Sequence, residues 1–325
     1  MTARLPIGVI GIGALGTHHV RHLATLPEAE LVGIYDHTPA HSAKAAEQFG
    51  VRAFHDLDEL LGRVRAVTVA VPTSAHAEVG LRALSRGVAV MMEKPLAATL
   101  AEADALVAEA ARRGVQLQVG HIERFNRAVR AALPYLHEPR FIESQRLAPF
   151  QPRGTDVAVV LDLMIHDLDL LLHLTGGGEA TDVRASGATV LSNHLDMANA
   201  RVEFAAGTVA NVTASRVARE RIRKLRIFQP SGYLSLDLAA GTAEFMRLKP
   251  GWQPGLGTRL EDIVEQVRLE APEADALRLE LQSFVHAVQG EREAVVTGEE
   301  GRAALALALR VTEAIQRAPV VLEPR

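Results

Sequence analysis

The sequence predicts an α/β domain, doubly wound around a mostly parallel sheet, followed by an α+β domain with an open, mainly antiparallel sheet. Three observations carry this. A glycine-rich run, Gly11-Ile12-Gly13-Ala14-Leu15-Gly16, joins the apolar segment Leu5 to Ile10 to a helical stretch. Through residue 122, short β-rich runs alternate with helical ones. Beyond it, strands with polar alternation and glycine turns dominate.

Strands are expected at Ile7–Ile10, Leu31–Tyr35, Ala66–Val71, Val88–Met92 and Gln116–Val119. Helices fall between them, near Ala14–Leu26, Ala40–Phe49, Ser74–Ser85 and Leu100–Arg113. Most of these strands lack polar alternation, which suits a parallel sheet covered on both faces. A helix near Arg124–Leu133 opens the second domain. Strands follow at Phe141–Leu147, Asp182–Ala188, Met197–Phe204, Thr208–Ser215, Arg223–Phe228 and Tyr233–Asp237, punctuated by Gly207, Gly232 and Gly241. A helix over Val159–Leu174 interrupts them and stops at Gly176-Gly177-Gly178. Residues 250–272 carry little strand signal and predict a loop with a short helix inside. Two helices, Ala274–Gln289 and Glu299–Arg317, close the pattern. The expected domains are 1–122 and 123–325.

At 325 residues and 48% hydrophobic, the chain can build two real cores. A net charge of −4 with mixed signs argues against nucleic acid or an anionic membrane as partner. There is no cysteine, which excludes disulfides and thiolate chemistry. No basic segment precedes a long apolar one at the start, and no apolar run reaches the roughly 18–20 residues of a membrane span. A cytoplasmic location is expected. No basic reading helix of a helix-turn-helix is evident.

The glycine run and Asp36 carry chemistry, as do three later segments that hold polar residues the core does not need: Glu93-Lys94-Pro95, Gly120 to Asn126 past the next strand, and Asp162 to His166. Gly11 permits a tight turn, Gly13 lets a pyrophosphate approach the backbone, and Gly16 lets helix and strand pack closely. The helix start then offers free N–H groups to phosphate. Asp36 closes the next strand, where a carboxylate accepts from ribose hydroxyls and repels a 2′-phosphate, so NAD is the expected cofactor. Glu93-Lys94-Pro95 follows the fourth strand, at the end of the sheet where ligands bind. Asp162 and His166 are spaced i, i+4, on one face of a helix, and a histidine with a near-neutral pKa suits proton abstraction from an alcohol. The expected cofactor contacts are Gly11, Gly13, Ala14, Leu15, Gly16, Asp36, Pro72, Thr73, His76, Glu93 and Lys94. His166, Asp169 and His173 also share a helix face that could hold a metal, but no further ligand spacing accompanies them and no metal is expected.

The glycine run, Glu93-Lys94-Pro95, the run Gly120 to Asn126 with its Arg124-Phe125-Asn126, and the Asp162/His166 pair occur in an order and spacing that resemble the glucose-fructose oxidoreductase / inositol dehydrogenase / rhizopine-catabolism (Gfo/Idh/MocA) family. The resemblance spans nearly the whole chain. It implies a Rossmann domain, an open-sheet domain that often mediates homo-oligomers, and NAD(P)-dependent oxidation or reduction of a secondary alcohol on a sugar or cyclitol. By position, Lys94 would orient the reacting hydroxyl, His166 would be the general acid/base, and Asp162 would assist. His19 also fits the family pattern, on the first helix.

A narrower likeness lies at Asn211-Val212-Thr213-Ala214-Ser215-Arg216 and Arg223-Lys224-Leu225-Arg226-Ile227-Phe228, which resemble the UDP-N-acetylglucosamine 3-dehydrogenases. Arg216, Arg219, Arg221, Arg223, Lys224 and Arg226 crowd this region, and guanidinium forks match a diphosphate. A solvated strand face balanced by acids such as Glu220 would look the same. The expected substrate-binding residues are Arg124, Asn126, Arg216 and Arg223, with a sugar or nucleotide sugar as ligand. The alternatives are a dehydrogenase of an unactivated sugar or cyclitol, and a non-catalytic NAD-binding module. The module would be expected to have lost Lys94 or His166, and both are present.

Overall fold

The structure is a computed structural model that describes residues 3–151, 157–253, 255 and 259–317. In chain order the elements begin β1 (Leu5–Ile10), α1 (Ala14–Leu23), β2 (Ala29–Tyr35), α2 (Pro39–Phe49), α3 (Leu57–Leu61), β3 (Ala66–Val69), α4 (His76–Leu84), β4 (Ala89–Glu93), α5 (Leu100–Arg113) and β5 (Leu117–Gly120). They continue with α6 (Arg127–Ala132), β6 (Phe141–Leu147), α7 (Ile165–Leu174), β7 (Ala180–Ala188), β8 (Met197–Phe204), β9 (Val209–Ser215), β10 (Ile222–Gln229), β11 (Gly232–Asp237) and β12 (Thr242–Leu248). Last come α8 (Leu260–Ile263), β13 (Val264–Leu269), α9 (Ala276–Gln289) and α10 (Gly298–Arg317). No described helix is long and apolar enough to cross a membrane.

Two compact units divide the chain: residues 1–122 with 274–305, and 123–273 with 306–325. The expected second domain, 123–325, is therefore not one contiguous body. The segment 274–305 belongs with the first unit because α9 buries Leu281, Phe284 and Val285 in the same core as Val20, Leu23, Val9 and Met91. The sequence shows that α9 has an apolar face but not what covers it.

The first unit is built on a parallel five-stranded sheet in the order β2-β1-β3-β4-β5. Its strands are apolar on both faces, with Ile7, Val9, Ile34, Val67 and Val90 fully buried. The order reverses beside β1: the chain leaves β1 toward β2 and leaves β3 toward β4, in opposite directions along the sheet, and it is outside the carboxyl ends at such a switch point that these sheets bind ligands. Helix α5 starts in a capping box of Thr99 and Glu102 and stops at Gly114, whose left-handed φ of 64° suits glycine. The short helix α3 was not expected. Asp56 caps it by accepting from Asp58 N, and Leu57, Leu60 and Leu61 are buried.

The second unit holds an eight-stranded sheet in the order β13-β12-β11-β10-β6-β9-β8-β7. Every pairing is antiparallel except β6 with β9. One face is buried, with Ile142, Val212, Leu225 and Leu234 inaccessible to solvent. The strands β12 and β13 were not expected. β13 lies inside the stretch read as a loop, part of which falls outside the described residues. It is an edge strand, and only Leu269 in it is fully buried, so its apolar signal is weak.

Two expected helices are broken. Ile122–Phe125 forms a 3₁₀ turn, and Asn126 then caps α6 by accepting from Ala128 N. The helix expected over Val159–Leu174 begins with a π-turn, Val160–Met164, before α7.

Candidate active site

The chemistry-bearing residues of the first unit line the carboxyl edge of its sheet. Gly11 follows β1 with φ 87°, and a Cβ there would lie 2.7 Å from the Ala70 carbonyl after β3. A Cβ on Gly16 would lie 1.8 Å from Gly11 O, so only glycine lets α1 pack this close to the turn. Gly13 is different: a Cβ there would meet nothing within 4 Å. Gly13, Ala14 and Leu15 are exposed at the start of α1, and no side chain caps that end. The open cradle and uncapped helix start fit the pyrophosphate of a dinucleotide.

Asp36 is fixed at the end of β2. Its Oδ2 accepts from Ile12 N at 2.6 Å and its Oδ1 from Thr38 N at 2.7 Å. Each carboxylate oxygen has a second lone pair, so ribose hydroxyls can still donate to it. Pro72 is exposed and Thr73 half-buried in the 3₁₀ turn after β3, on the same edge.

Glu93 ends β4, and Lys94–Pro95 is a cis peptide. The buried His19 ring on α1 places Nε2 3.0 Å from Glu93 Oε1. Burial works against the Glu93 charge, but His19 and the Lys94 ammonium outweigh it and hold the carboxyl below its usual range. On its other side the carboxylate packs over Gly120, where a Cβ would lie 3.1 Å from Oε2.

His76 departs from expectation. It is 1% exposed, with Nδ1 2.9 Å from Pro95 O and Nε2 3.1 Å from Val71 O. Both ring nitrogens face backbone carbonyls, so His76 braces the turns after β3 and β4 instead of offering an edge to a cofactor. Burial pulls its pKa below the usual histidine value, against those two hydrogen bonds.

In the second unit, Asp162 lies in the π-turn and His166 in the first turn of α7. The plain α-helical i, i+4 geometry expected for the pair is therefore modified by one wide turn, a feature often found at functional sites. Both are partly exposed. Arg216 anchors the turn from the end of β9. Its Nη2 donates to Val157 O at 2.5 Å and lies 3.9 Å from Asp162 Oδ2, while Nε is 3.9 Å from Asp196 Oδ1. Asp196 in turn accepts from Val190 N, Leu191 N, Ser192 N and Ser192 Oγ. Burial opposes its charge, but these donors prevail and hold its pKa at about 2.

The residues expected to bind substrate are largely engaged within the fold. Arg124 is buried, with Nη2 2.7 Å from Asp169 Oδ1 and Nε 2.9 Å from Asp169 Oδ2. Asn126 donates to Glu123 Oε2 and Leu238 O while its Oδ1 caps α6. Arg216 is 6% exposed, so it is a tether of the π-turn and not a solvent-facing phosphate clamp. Arg223 stands between: 39% exposed, with Nη1 3.7 Å from Glu123 Oε1. Burial and the adjacent Arg146 guanidinium lower its pKa.

Sequence reasoning did not single out Arg146, which sits at the centre of this network. It is buried on β6, donates from Nη1 to Glu123 Oε1 at 2.7 Å, and grips Asp167 through Nε at 2.6 Å and Nη2 at 3.1 Å. Ser144 Oγ donates to Asp167 Oδ1 at 2.9 Å. Burial penalises the Arg146 charge, but Asp167 and Glu123 more than offset it and raise its pKa. The available signal was slight: two inward-pointing polar residues, 144 and 146, on a strand whose other inward residue, Ile142, is apolar.

Residues 5–121 match the family described as oxidoreductase family, NAD-binding Rossmann fold, and residues 128–235 match the GFO/IDH/MocA C-terminal domain. The chain belongs to the Gfo/Idh/MocA oxidoreductase family. It is 40% identical to a UDP-N-acetylglucosamine 3-dehydrogenase of Acidithiobacillus ferrooxidans, covering 95% of this chain and 96% of that one. A solved structure of the A. ferrooxidans UDP-N-acetylglucosamine 3-dehydrogenase superposes with a TM-score of 0.89 at 37% identity, over 97% of this chain and 99% of that one. A myo-inositol 2-dehydrogenase of Thermotoga maritima is 26% identical over 95% of this chain and 96% of its own. The protein is an NAD-binding dehydrogenase with the Rossmann and open-sheet halves that its sequence predicts.

Proposed function

We propose that this dehydrogenase oxidises the 3-hydroxyl of UDP-N-acetylglucosamine to a ketone. The full-length 40% identity to an enzyme of that name carries the proposal. The reaction turns R₂CHOH and NAD⁺ into R₂C=O, NADH and a proton. Gly11 to Gly16 and Asp36 would hold the pyrophosphate and adenosine ribose of NAD, with Pro72, Thr73, Glu93 and Lys94 along the same sheet edge, and its oxidised nicotinamide would supply the hydride acceptor. Lys94 orients the reacting hydroxyl by donating to its oxygen. His166 takes the hydroxyl proton as hydride leaves carbon. Asp162, tethered by Arg216, supports His166 or binds a sugar hydroxyl.

NADH formation with UDP-N-acetylglucosamine, free N-acetylglucosamine and myo-inositol, measured side by side, tests this. Binding energy from the UDP group should help orient the sugar carbon, so the free sugar should lose kcat as well as KM. Turnover of inositol or a free sugar, with none of the UDP sugar, would favour a dehydrogenase of unactivated substrates. One observation favours that second reading: Arg124 and Arg216 are committed to internal partners, leaving fewer arginines for a diphosphate.

We also propose that the chain self-associates through the outer face of its eight-stranded sheet. Phe141, Phe228 and Tyr233 form a ring cluster there, with the Phe228–Tyr233 centroids 4.7 Å apart and Phe228 42% exposed. Light scattering of the wild type and of Phe228→Glu measures it. A monomeric wild type would rule it out.

A further inference from the structure

Helix α7 carries two adjacent buried ion pairs that its predicted amphipathicity does not need. Asp167 is 1% exposed and gripped by Arg146 from β6, with Ser144 Oγ on the same carboxylate. Asp169 is fully buried and gripped two-pronged by Arg124. Buried ion pairs are seldom the most stable way to fill a core, because desolvating both charges offsets much of their attraction. What they supply is direction: a guanidinium fork holds a carboxylate in one plane.

The helical geometry says which direction. Residues advance about 100° per position around a helix. From His166, Asp167 therefore lies about 100° to one side and Asp169 about 60° to the other. His166 occupies the arc between the two gripped carboxylates. A rotation of α7 about its own axis in either sense would pull at least one carboxylate from its arginine. A helix packed only by leucines slides among nearly equivalent rotations more easily than one pinned by two forks. The π-turn Val160–Met164 lies immediately ahead of α7, so the segment that carries His166 starts at an irregular turn.

We infer that Arg146–Asp167 and Arg124–Asp169 act as a paired clamp that sets the rotation of α7, and through it the direction of the His166 ring. Arg124 and Arg146 are positioning residues. Their effect on the reaction passes through His166, so the inference rests on the role proposed for that histidine.

The test uses Arg146→Lys, which keeps the charge and loses the fork, and Asp169→Asn, which weakens the second pair. Each is assayed with NAD and UDP-N-acetylglucosamine beside the wild type and His166→Asn, with thermal melting and NADH titration on every protein. A displaced base slows proton transfer relative to all other steps, and misplacement by an ångström can cost about 10²-fold. Both clamp variants should lose about 10- to 100-fold in kcat, with NADH affinity retained and the solvent deuterium isotope effect on kcat raised. A smaller folded fraction would lower kcat without changing that isotope effect. Unchanged kcat, or a loss with an unchanged isotope effect, overturns the clamp. Near-normal turnover by His166→Asn would instead overturn the role of the histidine itself. If one variant does not fold, the other decides the matter alone, since each breaks a separate pair.

Discussion

Nε2 of His19 lies 3.0 Å from Oε1 of Glu93, so the residue before Lys94 is tied to the first helix of the dinucleotide unit. The glycine turn and the lysine turn are thus one mechanical assembly: α1 starts at the first and holds the second. His19→Phe would leave the Glu93 carboxylate without its ring partner in a buried site. A stability loss of about 1–3 kcal/mol is expected, with a fall in kcat as Lys94 loses its support. Chemical denaturation and steady-state kinetics on the same variant measure both; unaltered stability would show that Glu93 finds another donor.

Asp36 should make the enzyme prefer NAD over NADP, because a carboxylate at the end of the second strand of such a fold accepts from ribose hydroxyls and repels a 2′-phosphate. Asp36→Ser is expected to narrow that preference. Fluorescence titration with NADH and NADPH at physiological salt reads it, and tighter NADPH binding by the wild type would contradict the assignment.

His166→Ala should lower kcat by about 10²–10⁴-fold while NADH affinity stays near wild type. A variant with full activity across the pH range would remove His166 from the mechanism.

Arg124→Ala should behave as a structural variant. Asp169 would remain buried without the Arg124 guanidinium, and breaking a buried pair from one side costs about 3–5 kcal/mol. Urea unfolding is the measurement. A raised KM with unchanged stability would return Arg124 to the substrate-binding role that its motif suggested.

Asp196 gives the protein a defined acid sensitivity. Its pKa is lowered to about 2 by Ser192 Oγ and three backbone N–H groups acting against burial. A carboxyl depressed in the fold stabilises fully above its unfolded pKa, and that contribution disappears as pH falls from about 4 toward about 2. It is on the order of 2 kcal/mol. Asp196→Asn should therefore be less stable than wild type at pH 7, and the gap should close in acid. Melting curves over that range decide it; a constant gap would mean the loss is steric.

Much of the first unit was legible because its signals are local. A Gly-x-Gly-x-x-Gly turn between a strand and a helix dictates backbone geometry over six residues, and Gly11 and Gly16 occupy positions where a Cβ would collide with backbone. Runs such as Val88–Met92 are apolar throughout, which only a doubly covered strand requires. Strand β13 was missed because an edge strand with one fully buried residue scarcely differs in composition from a loop.

The sequence by itself determined the fold class and the family, and it singled out Gly11 to Gly16, Asp36, Glu93, Lys94, Asp162 and His166 as the residues proposed to carry the chemistry. These follow from neighbours in the chain. Only the tertiary structure decided which charged residues are spent inside. Arg124, Arg216 and Arg223 read alike as guanidinium groups near polar segments, yet one grips Asp169, one tethers the π-turn, and one stays partly exposed beside Glu123. His76, read as a cofactor contact, braces two turns instead. The unit to which α9 belongs was hidden for the same reason. Whether a side chain is buried, and what pairs with it, depends on segments tens to hundreds of residues away, and the free energy of a charge depends more on those partners than on its own identity.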